Sequence, residues 1–278
     1  MKNEGNINTE AIVDKLRSVE PDTYSLEAKP GKVGKNADTA VIVLAGGKGS
    51  RMGDVNSLPK QLLPIGGKPV LAWSLDTFDS VEDIGCIVVV CPKDDYQTYI
   101  DQVVDPFKFT TPILFAPAGT VRQESAFNGV ECVPDKYSYV MIHDAARPLV
   151  PASMIRHLHS VMKAEPELDG AICAHQAIDT LKVVQDNKIV GTPDRSAFWV
   201  AQTPQCFKLQ KYKMAHISAL RDGFVGPDDS TLIERIGGNV ACLEGKRNNI
   251  KLTVPEDYLV LSGVIDYMKL EHGSDYEV

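Results

Sequence analysis

Residues 39–53 read TAVIVLAGGKGSRMG, an apolar run that breaks into a glycine-rich turn. Valine and isoleucine favour a buried strand, and the glycines that follow let backbone N–H groups approach a ligand closely. Such N–H groups bind phosphate, and Arg51 and Lys60 add positive charge beside them. The segment therefore predicts a strand that ends in a phosphate-binding loop.

The spacing of this loop differs from the spacings of the two commonest phosphate-binding loops. A dinucleotide fingerprint needs a third glycine where Met52 stands, and a P-loop needs a Gly-Lys-Ser or Gly-Lys-Thr triplet, which the segment lacks. The loop instead resembles that of nucleotidyltransferases, in which a nearby Pro-Lys pair, here Pro59 and Lys60, helps to hold a nucleoside triphosphate.

Composition limits the classes of protein that remain. The chain has 278 residues, of which 44% are hydrophobic and 24% charged, enough to bury a sizeable core. A net charge of −8 argues against a nucleic-acid surface, and no apolar run approaches the roughly 18 residues that a membrane span needs. The six cysteines lack metal-ligand spacing and indicate buried free thiols in a reducing compartment, so we expect a cytoplasmic protein.

Strand patterns alternate with helical patterns from residue 39 to residue 174. Such alternation is typical of a parallel sheet with helices on both faces, so we predict an α/β fold with a doubly wound, mostly parallel sheet. The predicted strands are residues 39–44, 86–91, 112–116, 139–143 and 170–174, and the predicted helices are residues 70–78, 94–103, 121–132 and 152–165.

The pattern changes near residue 176. Residues 180–190 predict a hairpin with Asp186 and Asn187 at its turn, which would protrude as an arm spanning about residues 176–200. The chain then predicts a strand at 199–205, helices at 208–221 and 229–236, a strand at 240–244 and a last helix at 255–269.

Three regions are predicted along the chain. Residues 1–38 are polar and form an N-terminal extension, partly disordered or with one short amphipathic helix at 9–19. The segment lacks a secretory apolar region and is too acidic for a transit peptide. Residues 39–270 form the main domain, and residues 271–278 are a tail.

Polar and glycine residues follow three of the predicted strands. Open parallel sheets bind ligands beyond the carboxyl ends of their strands, so function is expected there. Besides the glycine loop, the segment from Gly119 to Ser125 follows the third strand and the segment from Asp144 to Pro148 follows the fourth.

Four further motifs, with the glycine loop, suggest a family. They are His-Asp-Ala-Ala-Arg-Pro at 143–148, Asp-Thr-Leu-Lys at 179–182, Gln-Thr-Pro-Gln at 202–205 and Asn-Ile-Lys-Leu-Thr at 249–253. In this order they closely resemble the 2-C-methyl-D-erythritol 4-phosphate cytidylyltransferases (IspD family) of non-mevalonate isoprenoid biosynthesis, over residues 39–265. The resemblance implies a Rossmann-like nucleotidyltransferase fold and transfer of a cytidylyl group from CTP to methylerythritol phosphate with release of pyrophosphate.

Two other functions remain open at this stage. Related enzymes transfer cytidylyl groups to ribitol 5-phosphate, and residues 53–56 of the loop resemble theirs, whereas Ala145 and Ala146 match the methylerythritol version. A nucleotide-binding protein that has lost catalysis is the second alternative. Retention of Arg51, Lys60 and Lys251 argues against it, because a degraded site would be expected to lose its cations first.

The chemistry requires cations. A phosphate monoester carries about −1.5 to −2 charge at neutral pH, so it is already a nucleophile, and the site must offset its repulsion from a triphosphate. Arg51 and Lys60 are candidates for this role from their place in the loop, and Lys251 from the family resemblance. Asp144 either caps the following turn or anchors Mg²⁺, and we favour the metal role.

The resemblance also implies the binding residues. Arg122 would order the loop and Ser125 would contact the cytosine, with Thr120 and Val121 standing where the family often has a carboxylate. The arm would reach into the site of a partner in a homodimer, and His143 and His175 are interpreted as structural. The implied nucleotide-binding residues are Ala45, Gly46, Gly47, Gly49, Gly119, Arg122, Ser125, Asp144 and Ala145, and the implied acceptor-binding residues are Arg147, Thr180, Arg195 and Thr203.

Overall fold

The centre of the fold is a mostly parallel sheet. The computed structural model describes residues 36–47 and 58–272. Within these ranges the strands are β1 (Thr39–Leu44), β2 (Pro64–Ile65), β3 (Lys68–Pro69), β4 (Ile84–Cys91), β5 (Ile113–Pro117), β6 (Tyr139–Asp144), β7 (Gly170–Gln176), β8 (Val183–Gln185), β9 (Lys188–Gly191), β10 (Trp199–Lys208) and β11 (Val240–Glu244). Seven of these described strands form one sheet in the order β11–β7–β10–β6–β1–β4–β5.

Helices connect the strands and cover both faces of the sheet. The α-helices of the described residues are α1 (Val70–Asp79), α2 (Tyr96–Tyr99), α3 (Asp105–Phe107), α4 (Arg122–Glu131), α5 (Ala152–Ala164), α6 (Leu209–Arg221), α7 (Ser230–Arg235) and α8 (Pro255–His272). Short 3₁₀ turns occur at Lys60–Leu62, Lys93–Asp95 and Arg195–Ala197, and a π turn at Ile100–Val104 joins α2 to α3.

Two hydrophobic layers enclose the sheet. On one face, side chains of α1 and α5 such as Leu75 and Leu158 pack against alternate residues of β1 and β4. On the other face, Phe127 of α4 and Leu209 of α6 pack against the intervening residues of the same strands. β1 and β4 are buried on both faces, which agrees with their nearly continuous apolar sequences rich in valine and isoleucine. The doubly wound, mostly parallel α/β fold is therefore confirmed.

The arm departs from the parallel pattern. β8 and β9 form an antiparallel hairpin whose turn residues Asp186 and Asn187 have φ of 48° and 60°, the left-handed conformation of a two-residue hairpin turn. The chain returns from the hairpin directly beside β7, so β10 runs antiparallel to both β7 and β6.

Local differences from the predicted elements are confined to short segments. The helix expected at 94–103 is instead a 3₁₀ turn followed by α2, the π turn and α3. The short hairpin of β2 and β3 was not predicted. The helix expected at 9–19, and the site residues Gly49 and Arg51, lie outside the described residues.

Candidate active site

A cleft of about 760 Å³ lies beyond the carboxyl ends of β1, β5 and β6. β1 and β6 are adjacent and parallel, so the segments that follow them leave the sheet at the same edge. Many of the residues predicted from the sequence line this one cleft: Gly46, Gly47, Lys60, Gly119, Arg122, Ser125, Asp144, Ala145 and Lys251.

The glycine segment is held closely against its neighbours. A Cβ atom at Gly46 would lie only 2.4 Å from the Cβ of Ala118, so no larger residue fits there. Ala45 is buried behind the cleft, where its N–H donates to the Val90 carbonyl at 2.7 Å. The Ala45 carbonyl accepts hydrogen bonds from the Tyr99 hydroxyl at 3.0 Å and from the side-chain amide of Gln61. These contacts fix the position at which the loop begins.

The segment after β5 forms a second wall. The Gly119 N–H donates to the Ser125 hydroxyl at 2.9 Å, and that hydroxyl donates to the Val121 carbonyl at 3.2 Å. The Glu124 carboxylate accepts from the Thr120 N–H at 2.6 Å and from its hydroxyl at 2.7 Å. Glu124 packs directly over Gly119, where a Cβ would lie 2.4 Å from its Cγ. A carboxylate thus does stand at this wall, supplied by Glu124.

Asp144 lies at the centre of the charges. One carboxylate oxygen accepts from Arg122 Nε at 3.2 Å and the other from Lys251 Nζ at 2.7 Å. Burial by itself raises the pKa of Asp144, but Arg122 and Lys251 outweigh that effect and hold the pKa well below its ordinary value. Asp144 is therefore an ionised carboxylate beneath the cleft. It does not cap the following turn with its side chain.

A hydrogen-bonded chain supports Asp144 from behind. The Asp144 N–H donates to the Thr203 hydroxyl at 3.0 Å, which lies 3.2 Å from His143 Nδ1. His143 Nε2 lies 3.1 Å from the Arg147 carbonyl, which only accepts, so Nε2 carries the proton. Burial lowers the pKa of His143 to about 4, so the ring is neutral and Nδ1 accepts from Thr203.

Asn249 joins this chain to the segment that carries Lys251. Its side-chain amide donates to the Thr203 carbonyl at 2.9 Å, and its own carbonyl accepts from Arg147 Nη1 at 2.7 Å. Asn249 is fully buried, so these contacts fix the backbone two residues before Lys251.

Lys60 lies on the same side of the cleft as Lys251, although the two residues are far apart in the sequence. Its Nζ donates to the Leu252 carbonyl at 2.8 Å, and the Leu252 N–H donates to the Ala146 carbonyl at 2.8 Å. The segments that contain Lys60, Asp144 and Lys251 are therefore in direct contact.

The remaining predicted residues lie elsewhere. Thr180 and Arg195 are exposed at the arm and are not among the residues that line the cleft of their own chain. Arg195 Nη1 donates to the Ile178 carbonyl. Thr203 and Arg147 lie behind Asp144, as described above.

Comparisons with known proteins identify the family of this chain. Residues 39–266 match the model of the IspD family, 2-C-methyl-D-erythritol 4-phosphate cytidylyltransferase. The chain belongs to this family. A cytidylyltransferase of that name from Syntrophotalea carbinolica is 39% identical over 227 residues, which cover 81% of this chain and 95% of the relative. One from Caldanaerobacter subterraneus is 39% identical over 224 residues, covering 80% and 96%.

Solved structures of IspD-family proteins share the fold. The 4-diphosphocytidyl-2C-methyl-D-erythritol synthase of Anaerococcus prevotii superimposes with a TM-score of 0.71 at 26% identity, over 83% of this chain and 97% of that chain. The cytidylyltransferase of Thermus thermophilus superimposes with a TM-score of 0.66 at 26% identity, over 82% and 98%. The predicted family and enzyme class are confirmed.

Several residues of this IspD-family site were missed at the sequence level. Asn249 stands inside the motif at 249–253 and Gln61 directly follows the Pro59–Lys60 pair, so these positions were the available signal. His143 was interpreted as structural, and it is indeed buried, but it connects Thr203 to Arg147. Tyr99 carried no signal, because nothing local shows that its hydroxyl reaches Ala45.

Proposed function

We propose that the protein transfers the cytidylyl group of CTP to 2-C-methyl-D-erythritol 4-phosphate, giving 4-diphosphocytidyl-2-C-methyl-D-erythritol and pyrophosphate. The observation that carries this proposal is the ionised Asp144 held between Arg122 and Lys251 at the edge of a cleft bounded by the glycine segment. Membership of the IspD family supports it over ribitol 5-phosphate as acceptor.

The reaction is an in-line displacement at phosphorus. An oxygen of the acceptor's phosphate attacks the α-phosphorus of CTP, the bond to the β-phosphate breaks, and pyrophosphate leaves with the electron pair. The attacking phosphate is already ionised, so cations that offset the gathering negative charge supply most of the acceleration. We assign this role to Lys60 and Lys251, and to Arg51 from its place in the glycine loop of the sequence.

The nucleotide would occupy the cleft between its two walls. The N–H groups at Gly46 and Gly47 are suited to the phosphates, with Gly49 added by family resemblance, and the wall formed by Gly119 and Ser125 is suited to the base. Ser125 already donates to the Val121 carbonyl. Its hydroxyl also accepts from the Gly119 N–H and keeps one further lone pair, which can accept from a donor on the base without loss of the bond to Val121.

Asp144 is suited to hold Mg²⁺. Its carboxylate is ionised and offers the oxygen ligands that Mg²⁺ prefers, usually one or two carboxylates together with substrate phosphates. Lys251 and Arg122 now pair with these oxygens, and the phosphates of CTP are their natural alternative partners. Mg²⁺ bound there would neutralise charge on the triphosphate.

The acceptor would bind next to the nucleotide and against a second subunit. Arg147 and Thr203 lie behind Asp144, whereas Thr180 and Arg195 lie on the exposed arm. Around the arm several large apolar side chains are about half exposed or more, which is typical of an interface. These are Ile178, Val183, Val184, Ile189, Val190, Phe198, Trp199 and Val200. We propose a homodimer in which each arm completes the acceptor site of its partner.

The thiols are consistent with a reducing compartment. Five of the six cysteines are buried and all six are unpaired, and burial raises the pKa of Cys86 to about 12. Among the helices of the described residues, none is long and apolar enough to cross a membrane. We propose a cytoplasmic location.

The test is a matched set of transfer assays. The protein is incubated with Mg²⁺ and one of CTP, ATP or GTP, together with either methylerythritol phosphate or ribitol 5-phosphate, and pyrophosphate and the nucleotidyl-polyol are measured. We expect stoichiometric products with CTP and methylerythritol phosphate. Equal rates with ATP or GTP would contradict the cytosine assignment, and faster turnover of ribitol 5-phosphate would replace the proposed acceptor.

A further inference from the structure

A second carboxylate lies on the far side of Arg122. Asp229, just before α7, has only 1% of its surface exposed. One of its oxygens accepts from Arg122 Nη1 at 2.7 Å and the other from the Tyr212 hydroxyl at 2.6 Å. Arg122 Nε meanwhile donates to Asp144 at 3.2 Å. The guanidinium is therefore held between two carboxylates, one facing the cleft and one behind it.

Asp229 does not serve as the side-chain cap of α7. The neighbouring Asp228 has that role, because its carboxylate accepts from the Thr231 N–H at 3.1 Å and from the Thr231 hydroxyl at 2.6 Å. The side chain of Asp229 makes no capping hydrogen bond to the helix. Helix capping therefore does not explain why a buried carboxylate stands at this position.

The position of Asp229 is tied to the central sheet. The side-chain amide of Gln205 on β10 donates to Asp228 at 2.9 Å and accepts from the Ser230 N–H at 3.1 Å. It is thus hydrogen-bonded to the residues on either side of Asp229. Tyr212 of α6 is fully buried and stacks on Phe207 of β10, with ring centroids 5.1 Å apart. The positions of Asp229 and Tyr212 are thus both fixed by contacts with β10.

Stability alone is a weak reason for such an arrangement. Burying an ion pair costs desolvation that its attraction often fails to recover, whereas a fixed hydrogen-bonding geometry orients a charge. Without Asp229, no other side chain of the described residues would hold the Nη1 side of Arg122, and the guanidinium would be free to pair with Asp144 through two nitrogens. That pairing would cover the carboxylate and remove a cation from the cleft.

We propose that Asp229, assisted by Tyr212, is a positioning residue that fixes Arg122 for nucleotide binding. The inference rests on the proposed function only in taking CTP as the nucleotide. It assigns a role to Tyr212 on α6 and to Asp229 just before α7, which lie 90 or more positions after Arg122 in the sequence.

The experiment measures CTP binding without turnover. The dissociation constant for CTP is determined by calorimetry, without acceptor, for the wild type, D229N, Y212F and the control D222N. Asp222 also pairs with an arginine, Arg235, at 2.6 Å, but lies at the exposed end of α6. We expect affinity about 10-fold weaker in D229N and about 2- to 5-fold weaker in Y212F, as for loss of charge-assisted hydrogen bonds, with D222N unchanged.

A double-mutant cycle separates positioning from a structural role. If Asp229 acts through Arg122, D229N adds no further loss of CTP affinity in an R122Q background. Additive losses, or a D229N protein that melts at a lower temperature yet binds CTP like the wild type, would overturn the inference. If D229N does not fold, Y212F decides, and unchanged CTP affinity in Y212F would then reject the role.

Failure of the proposed function would be distinguishable from failure of this inference. A wild-type protein that binds CTP but releases no pyrophosphate refutes the transfer reaction and leaves the CTP affinities of the variants interpretable. Wild-type transfer with normal CTP binding in D229N and Y212F refutes the positioning role alone.

Discussion

At the scale of single residues, the cleft is organised by charges whose partners come from distant parts of the chain. Lys60 donates to the Leu252 carbonyl, and Lys251 and Arg122 both donate to Asp144. The side chains of these three cations are therefore held in position before CTP binds. Such preorganisation is the main source of electrostatic catalysis, because no reorganisation is then needed during the reaction.

Replacing Lys60 by alanine should reduce kcat more than it affects binding of CTP. The substitution removes a charge that is needed more in the transition state than in the ground state, so kcat should fall by about 10²-fold or more. Steady-state kinetics with pyrophosphate detection measures the effect. The matched control is Lys163→Ala, whose ammonium is about half exposed on α5 and pairs with Asp38. A rise in KM for CTP with unchanged kcat would make Lys60 a binding residue only.

His216 should make the fold sensitive to acid. The ring is fully buried against Tyr212 and Phe127, and neither of its nitrogens has a hydrogen-bond partner among the described residues. Burial lowers the pKa of His216 from 6.5 to about 4; Asp229 nearby acts to raise it and Arg122 to lower it. The unfolded chain binds this proton below pH 6.5 and the folded chain does not. Stability is therefore lost as the pH falls from about 6.5 towards 4.

The measurement is urea unfolding at pH 7.5 and pH 5. The contribution of His216 to the fall in unfolding free energy between these pH values should be about 2 kcal/mol. His216→Phe should remove that part of the pH dependence, and His157→Gln, at an exposed position of α5, is the control. An unchanged pH dependence in His216→Phe would contradict the assignment.

At the scale of elements, the hairpin of β8 and β9 is the least self-sufficient part of the fold. Every residue of β8 is exposed, and Val184 and Ile189 are exposed by 57% and 64%. An isolated two-stranded hairpin is marginally stable at best, and exposed apolar side chains favour contact with another chain. We therefore propose that the hairpin packs against a second copy of the chain, which covers its exposed apolar side chains.

Mixing two inactive variants tests whether the arm serves the partner's site. Lys60→Ala and Arg195→Ala should each be nearly inactive alone. In a mixed dimer, the Arg195→Ala subunit retains Lys60 and receives the intact Arg195 of the Lys60→Ala subunit. One of the two sites of the dimer is then complete. Random exchange makes about half of the dimers mixed, so about a quarter of wild-type activity should return. The activity is measured after subunit exchange.

The control for this experiment is independent proof of exchange, for instance from two tags of different mass. If Arg195 served the site of its own subunit, every site would carry one defect. Activity that stays at the level of the separate variants despite complete exchange would rule out the shared site.

At the scale of the whole molecule, the cleft and the arm both belong to the part of the chain that the structure describes, residues 36–47 and 58–272. Asp38, the last residue of the predicted extension, is bonded to the fold: its carboxylate accepts from His159 at 2.7 Å and its carbonyl accepts from the Ser138 N–H at 2.8 Å. The polar residues before position 36 contribute none of the motifs. Residues 1–35 are therefore expected to be dispensable for catalysis.

Deleting residues 1–35 should leave kcat and Tm nearly unchanged, because the segment contributes no recognised site residue. Calorimetry and the transfer assay measure the two quantities. Extending the deletion through Asp38 provides the contrast and should lower Tm by several degrees, since it removes the partner of His159. Insoluble protein after the shorter deletion would show that the apolar residues at 9–19 pack on the domain or across the dimer.

Much of the fold could be predicted because its signals are local. β-branched runs mark buried strands, Asp186 and Asn187 mark a hairpin turn, and the glycines after β1 mark a phosphate loop. Since parallel strands end at one edge of a sheet, the sequence alone also predicted that the residues after β1, β5 and β6 would converge.

The partners of the charged side chains were decided by tertiary structure alone. Arg122 meets Asp229 across 107 residues, and nothing in the local pattern distinguishes Asp229 from its neighbour Asp228, which caps α7. The direction in which a side chain points depends on the packing of the element that carries it, and that packing exists only in the complete fold. The strands, the loop and the residue types at the cleft could be predicted from the sequence, because they follow from short-range preferences. Tertiary structure decided which of those charges face one another, because long-range packing sets their distances.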